Sequence, residues 1–142
     1  MTNIPLIENY LKMFRNYAHF SGRASRSELW WAMLMNYLVT FVIRIVFSFL
    51  STLLSFGGQD SLKMNIGISG IITLASMLYN LIVLLPLTAL QIRRLHDINR
   101  SGWWILLSYT GIGSIILLIW FCEPGTEDTN LFGSDPHPIR QY

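Results

Sequence analysis

The chain has 142 residues, of which 52% are apolar and only 13% charged, and its mean hydropathy is +0.44. A soluble domain carries about 25% charged residues, so this chain has too little charge to coat a globular surface. A formal net charge of +2 is too mild for a nucleic-acid partner, and the single cysteine, Cys122, excludes an intrachain disulfide and a Cys-x-x-Cys metal or redox motif.

In chain order, residues 1–10 include Glu8 and lack a basic stretch leading into an apolar run, so no cleavable signal peptide is expected. Residues 5–18 place Leu6, Ile7, Tyr10, Leu11, Phe14, Tyr17 and Ala18 on a helical stripe, with Glu8, Asn9, Lys12, Arg15 and Asn16 opposite. This pattern predicts an amphipathic helix lying in the membrane interface. The alternative is a cap on a partner protein.

Three long apolar runs follow, at residues 29–56, 66–92 and 103–122. A bilayer crossing takes roughly 20 apolar residues, and none of the runs shows the polar stripe of a soluble helix. The predicted fold is therefore all-α and integral to a membrane: one interfacial helix, then about three transmembrane helices, then a polar tail at 123–142, all in one domain. Ser25 and Glu28 fit a capping box at the start of the first run. Pro86 predicts a kink in the second. Gly111 and Gly113 weaken the middle of the third.

Lys and Arg counts set the expected orientation. The N-terminal segment has Lys12, Arg15, Arg23 and Arg26. The 57–65 loop has Lys63, the 93–102 loop has Arg93, Arg94 and Arg100, and the tail has Arg140 among four acids. The alternation predicts a cytoplasmic N-terminus and arginine loop, with the tail on the far side. Trp30, Trp31, Trp103 and Trp104 then mark the cytoplasmic interface and Trp120 the opposite one. A second topology stands beside this one. If residues 109–114 form a turn, the third run is a re-entrant hairpin and the tail returns to the cytoplasm, where Asp128 or Asp135 can pair with the arginines.

Three motifs carry further information. The first runs Gly22-Arg23-Ala24-Ser25-Arg26-Ser27-Glu28-Leu29-Trp30-Trp31. The second runs Arg93-Arg94-Leu95-His96-Asp97-Ile98-Asn99-Arg100-Ser101-Gly102-Trp103-Trp104. The third is Pro124-Gly125 followed by Asn130-Leu131-Phe132-Gly133-Ser134-Asp135-Pro136. In order and spacing, from about Tyr10 to Pro136, they resemble the domain-of-unknown-function family 805, the YhaH-like bacterial inner-membrane proteins. Ser25 departs from the pattern, standing where many members have a basic residue. The resemblance implies a multi-pass inner-membrane protein and no particular activity.

Arg23, Arg26, Arg93, Arg94, His96, Asp97 and Arg100 form the candidate binding surface. Guanidinium groups at headgroup level suit phosphate, which they bind bidentately. Plain positive-inside anchoring explains the same charges. Asp97 is expected to pair with a neighbouring arginine. His96 and Asp97, adjacent on a helix, point apart and form no dyad. The three histidines, His19, His96 and His137, lie in separate segments, so no metal site is predicted, and no cofactor motif is present. Arg44 sits inside the first run with no acid in any run to pair with it, and Asn80 in the second run offers a carbonyl. Snorkelling to the outer interface is the alternative for Arg44.

The expected function is non-enzymatic: an inner-membrane protein that binds anionic lipid headgroups or a membrane partner. The alternatives are a subunit of an oligomeric transporter or channel, with Arg44 and Asn80 lining the path, and an enzyme acting on lipid. The expected partners are the bilayer, anionic lipids, and a second copy or another membrane protein, with no nucleic acid.

Overall fold

The computed structural model describes residues 5–55, 61–134 and 136, and the backbone alone for residues 54, 55, 61–65 and 68. Phe56, Asp135, His137 and Arg140, and the side chain of Lys63, lie outside the described residues. The chain forms α1 (Pro5–Arg15), α2 (Arg26–Ser55), α3 (Ser61–Asp97), a 3-10 helix (Gly102–Tyr109) and α4 (Gly111–Cys122). Among the described residues no strand forms beyond one isolated bridge, Asn130 to Gly133.

Proline opens α1, where its missing N–H costs nothing. Met13 is fully buried and Tyr10 and Phe14 pack beside it, edge to face with ring centroids 5.1 Å apart. The helix therefore packs against α2 and α3, while Ile7 and Leu11 stay exposed. It stops at Arg15, short of the predicted residue 18. Lys12 Nζ reaches Glu28 Oε2 at 2.7 Å, and the hydroxyls of Tyr10 and Tyr79 meet at 2.8 Å.

Gly22, at a φ of +85°, turns the chain toward α2 in a conformation that side chains disfavour. Ser25 then caps α2: its Oγ accepts from Glu28 N at 3.2 Å. The reciprocal half of the capping box does not form, because both Glu28 carboxylate oxygens are taken by Lys12 and Arg93. Within α2 and α3, Arg26–Leu53 and Ser69–Asp97 are long and apolar enough to cross a membrane, and the most apolar window of each is scarcely buried in the protein. At 1.5 Å per residue these stretches measure about 42 Å and about 44 Å, more than a hydrocarbon core of about 30 Å requires.

Pro86 lies inside α3 and is fully buried. Its ring removes the N–H that would have bonded to the Ile82 carbonyl. That carbonyl is occupied from outside: Tyr17, just after α1, donates its hydroxyl to Ile82 O at 2.9 Å.

The third apolar run corrects the expectation of one continuous helix over 103–122. Thr110 is extended (φ −109°, ψ 139°) and breaks the run in two. It closes the 3-10 helix through its N–H to Leu107 O at 2.9 Å, and it caps α4 by accepting from Gly113 N at 3.1 Å. A Cβ at Gly113 would overlap Thr110 and Leu107, so only glycine allows the two pieces to approach this closely. At about 2.0 Å and 1.5 Å rise per residue, the pieces measure about 16 Å and about 18 Å. Neither matches the thickness of a bilayer.

Both ends of this hairpin return to the same place. Gly102 packs on Ile92 and His96, and Cys122 O accepts from Arg26 Nη1 at 3.3 Å. Trp120 therefore does not mark an opposite interface. Its ring packs edge-on against Trp104, with centroids 5.6 Å apart, and lies 3.9 Å below the Arg100 guanidinium. The buried core gathers at this end: Met13, Leu29, Leu90, Leu95, Leu117 and Phe121 form its body. The far halves of α2 and α3 run on as an exposed apolar pair.

Candidate functional site

The last turn of α3 presents Arg93, Arg94 and Asp97 to the segment between α1 and α2 and to the tail. Arg23 Nε donates to Asp97 Oδ1 at 2.9 Å, and Arg94 Nη1 donates to Asp97 Oδ2. One carboxylate thus holds two guanidinium groups, and each of these reaches on into the tail. Arg23 donates to the carbonyls of Thr126 and Asp128, the latter at 2.6 Å, and more weakly to Gly133 O at 3.4 Å. Arg94 donates to the carbonyls of Phe121 and Glu123. Arginine's planar fork of five donors suits this, because one side chain can tie an acid and several carbonyls at once.

The backbone completes the lock. Thr126 donates to Asp97 O through its N–H (2.9 Å) and its hydroxyl (3.1 Å). Asn130 Nδ2 donates to His96 O at 2.8 Å. The rings of His96 and Phe132 stack at 4.0 Å and 2°, and His96 Nδ1 lies 3.2 Å from Gly22 O. A Cβ at Gly125 would collide with the Asp97 carboxylate, so the Pro-Gly step is a requirement of close approach. Ala24 N donates to Arg93 O at 3.0 Å, which joins the first motif to the second through the backbone as well. All three sequence motifs therefore meet in one cluster. This corrects the expectation of a tail on the far side, out of reach of the arginine loop.

Burial divides the seven predicted site residues. Arg23, Arg93 and Arg94 are 9%, 4% and 0% exposed, and Asp97 is 3% exposed. They lie inside the cap, where a headgroup could reach Arg94 only by displacing the tail. His96 is half-buried by the Phe132 stack. Arg26 is exposed, and Arg100 is half-buried over Trp120 with Glu123 Oε2 at 4.0 Å. Arg93 pairs with the other buried acid, Glu28, at 3.3 Å, which it shares with Lys12. Its Nε and Nη2 are buried without a hydrogen-bond partner among the described residues. Three buried guanidinium groups thus face two buried carboxylates, an excess of one positive charge before Lys12 is added.

Several participants escaped the sequence reading. Lys12 was assigned to a polar helix face, yet its ammonium pairs with Glu28. Gly125 and Asn130 belong to the tail motif with no contact foreseen for them, and Thr126 lies outside it. Arg44 and Asn80 lie together, lining common clefts between α2 and α3. They do not pair as expected. Asn80 Nδ2 donates to Ser76 O at 2.8 Å, and Arg44 makes no hydrogen bond or ion pair among the described residues. No group of three or more potential metal ligands gathers among the described residues.

The family pattern described as "Protein of unknown function (DUF805)" matches residues 17–134, which holds the first two motifs whole and the third as far as Ser134. The chain belongs to the DUF805 family. It is 41% identical over 128 residues to the protein named "Inner membrane protein YhaH" of Escherichia coli (strain K12), covering 89% of this chain and 94% of that one. It is 40% identical over 128 residues to "Inner membrane protein YhaI" of the same organism, covering 89% and 93%. No solved structure matches the chain. The DUF805 relatives are thus named for the inner membrane, and the two long apolar helices of this member agree with that setting.

Proposed function

We propose that this DUF805 protein is a multi-pass inner-membrane protein without enzymatic activity, which binds anionic headgroups at the cytoplasmic interface. In this reading α2 and α3 cross the bilayer, and the hairpin of the 3-10 helix and α4 re-enters the leaflet it came from. The N-terminus and the tail then both lie on the cytoplasmic side, as the positive-inside rule asks of a segment carrying Lys12, Arg15, Arg23 and Arg26.

The observation that carries the reading is the convergence of the three motifs on Asp97 with cations in excess. The buried arginines hold the cap together, so the headgroup contacts fall to the outward cations around them, Lys12, Arg26 and Arg100. Arg26 and Arg100 flank Cys122 and Trp120, at a rim where an indole and a guanidinium meet, a pairing suited to the headgroup zone. A catalytic role is disfavoured because Asp97 spends both oxygens on arginines and His96 is clamped between Gly22 and Phe132.

The test is lipid retention. Full-length protein is purified from nanodiscs of mixed phosphatidylglycerol and phosphatidylcholine, and bound lipid is counted by native mass spectrometry. The double variant Arg26→Gln/Arg100→Gln is expected to lose phosphatidylglycerol selectivity while keeping its fold. Unchanged selectivity would sink the reading. The topology is tested separately: with Cys122→Ser and Ser134→Cys, a membrane-impermeant maleimide is expected to label only after the spheroplasts are permeabilised.

A further inference from the structure

A second feature lies far from the cap, along the membrane-crossing pair. Asn36, Thr40, Arg44 and Ser48 recur every four residues on α2, so they share one helix face. On α3, Ser69, Thr73, Ser76 and Asn80, spaced by three or four residues, likewise share one face. The two polar stripes meet along a groove between the helices. Its upper part is a cleft of about 420 Å³ lined by Asn36, Tyr37, Thr40, Phe41, Arg44 and Asn80 among others. Its lower part, also bounded by Arg44 and Asn80, continues past Thr73 and Ser76.

Most of the groove's polar groups are already satisfied by their own helices. Thr40 donates to Asn36 O, Thr73 to Ser69 O, and Asn80 to Ser76 O, each at 2.8–2.9 Å. Asn36 Oδ1 accepts from Tyr79 OH at 2.8 Å. Four donors lining the groove remain without a partner among the described residues: the Arg44 guanidinium, the Asn36 amide, the Tyr37 phenol and the Ser76 hydroxyl. No Asp or Glu occurs between Glu28 and Ser55 or between Ser61 and His96. The groove is thus a set of donors with one full positive charge and no counter-charge of its own.

Depth sharpens the demand. Arg44 lies 14 residues beyond Trp30, or about 21 Å along α2. With Trp30 at one interface, this places it some two-thirds of the way through a hydrocarbon core of about 30 Å. An unpaired cation there is costly. The walls above it are apolar and face outward: Tyr37 and Phe41 stack with centroids 6.3 Å apart, and Leu87 lies across from them. A ligand must therefore supply an anionic oxygen group to Arg44 and an apolar body to the walls, and it must enter sideways from the bilayer.

We infer that the groove between α2 and α3 is a binding site for an anionic amphiphile, whose phosphate or carboxylate pairs with Arg44. Its tail lies along Tyr37, Phe41 and Leu87.

The experiment uses full-length protein in phosphatidylcholine nanodiscs, doped at equal mole fraction with one of three photoactivatable probes: phosphatidylglycerol, phosphatidylcholine or palmitate. Labelled peptides are mapped by mass spectrometry. The acidic probes are expected to label the 33–48 segment about tenfold more than phosphatidylcholine does, the scale of one charge-assisted contact. Arg44→Gln is expected to bring that labelling down to the phosphatidylcholine level, and Arg44→Lys to keep most of it. Thr40→Phe, which fills the cleft and leaves the charge, is expected to lower labelling as far, so the test survives if Arg44→Gln does not fold. Stronger labelling by phosphatidylglycerol assigns a lipid phosphate, and stronger labelling by palmitate a free carboxylate. Arg26→Gln/Arg100→Gln is expected to leave the labelling unchanged, which separates this groove from the interfacial surface. Equal labelling by all three probes, undiminished labelling in both Arg44→Gln and Thr40→Phe, or crosslinks from this segment to a second copy in place of lipid would each overturn the inference.

Discussion

Tyr17 donates its hydroxyl, at 2.9 Å, to the Ile82 carbonyl, the acceptor that Pro86 strips of its intrahelical donor. A residue just beyond α1 thus repairs a defect in the middle of α3, and the two helices are coupled through it. Tyr17→Phe is expected to cost about 1–2 kcal/mol, the range for a hydrogen bond whose loss leaves a partner unsatisfied. The informative comparison is the cycle with Pro86→Ala, which returns an N–H to Ile82. Thermal unfolding in detergent should show Tyr17→Phe costing less in the Pro86→Ala background. Strict additivity would mean that the two residues do not act through the same carbonyl.

The arginine lock predicts an asymmetry between removing charge and removing geometry. Arg94→Gln leaves the carbonyls of Phe121 and Glu123 short of a donor and Asp97 with Arg23 alone. Breaking a buried pair of this kind costs about 3–5 kcal/mol. Arg94→Lys keeps the charge but cannot present a fork to an acid and two carbonyls, so it is expected to fall close to Arg94→Gln. Limited proteolysis is the readout: both variants should be cut within 123–134 well before wild type. Protection of the tail in Arg94→Lys equal to wild type would show that charge alone holds the cap.

The helices were legible because their signals are local. Apolar run lengths located α2 and α3 to within a few residues, and Ser25 three residues before Glu28 marked a helix start. What hydropathy cannot register is backbone conformation inside an apolar run. The extended Thr110 and the glycine contact at Gly113 leave the composition of 103–122 unchanged, yet they turn a crossing into a hairpin. The arginines were legible as a group but not by depth. Residue type places guanidinium groups at a headgroup surface by default, and it is Asp97 together with carbonyls from segments about 30 or 100 residues away that draws Arg94 and Arg23 inside. The Lys12–Glu28 and Tyr10–Tyr79–Asn36 contacts had no local signal, since each depends on how α1 docks.

Alkaline pH offers a probe of that docking. The Tyr10 phenol is pushed well above its ordinary value, first by burial and then by its hydrogen bond to Tyr79. With the folded pKa raised, the folded state binds the proton more tightly than the unfolded state. The Tyr10 contribution is then fully present below the unfolded value near 10 and is lost as pH rises above it. Stability measured from pH 9 to 11 should therefore fall, and Tyr10→Phe should flatten the fall while lowering the starting stability by about 1 kcal/mol. An unchanged slope in Tyr10→Phe would remove Tyr10 as its source.

The hairpin itself can be tested with two glycines two residues apart. Gly111 has open space around its missing Cβ, whereas a Cβ at Gly113 would overlap the Leu107 carbonyl and the Thr110 hydroxyl, the two groups that pin the 3-10 helix to α4. In a continuous helix over 103–122 both positions would be ordinary helix interior, and replacing either glycine by alanine would stabilise by up to about 1 kcal/mol. In the broken form, Gly111→Ala at the first position of α4 should be neutral or slightly favourable. Gly113→Ala should cost about 1–3 kcal/mol, as overpacking does, and should loosen the Trp104–Trp120 contact between the two pieces. Unfolding midpoints for the two variants, read with tryptophan fluorescence, decide between the forms. Opposite signs require the turn at Thr110, and a gain at both positions would restore the single crossing helix.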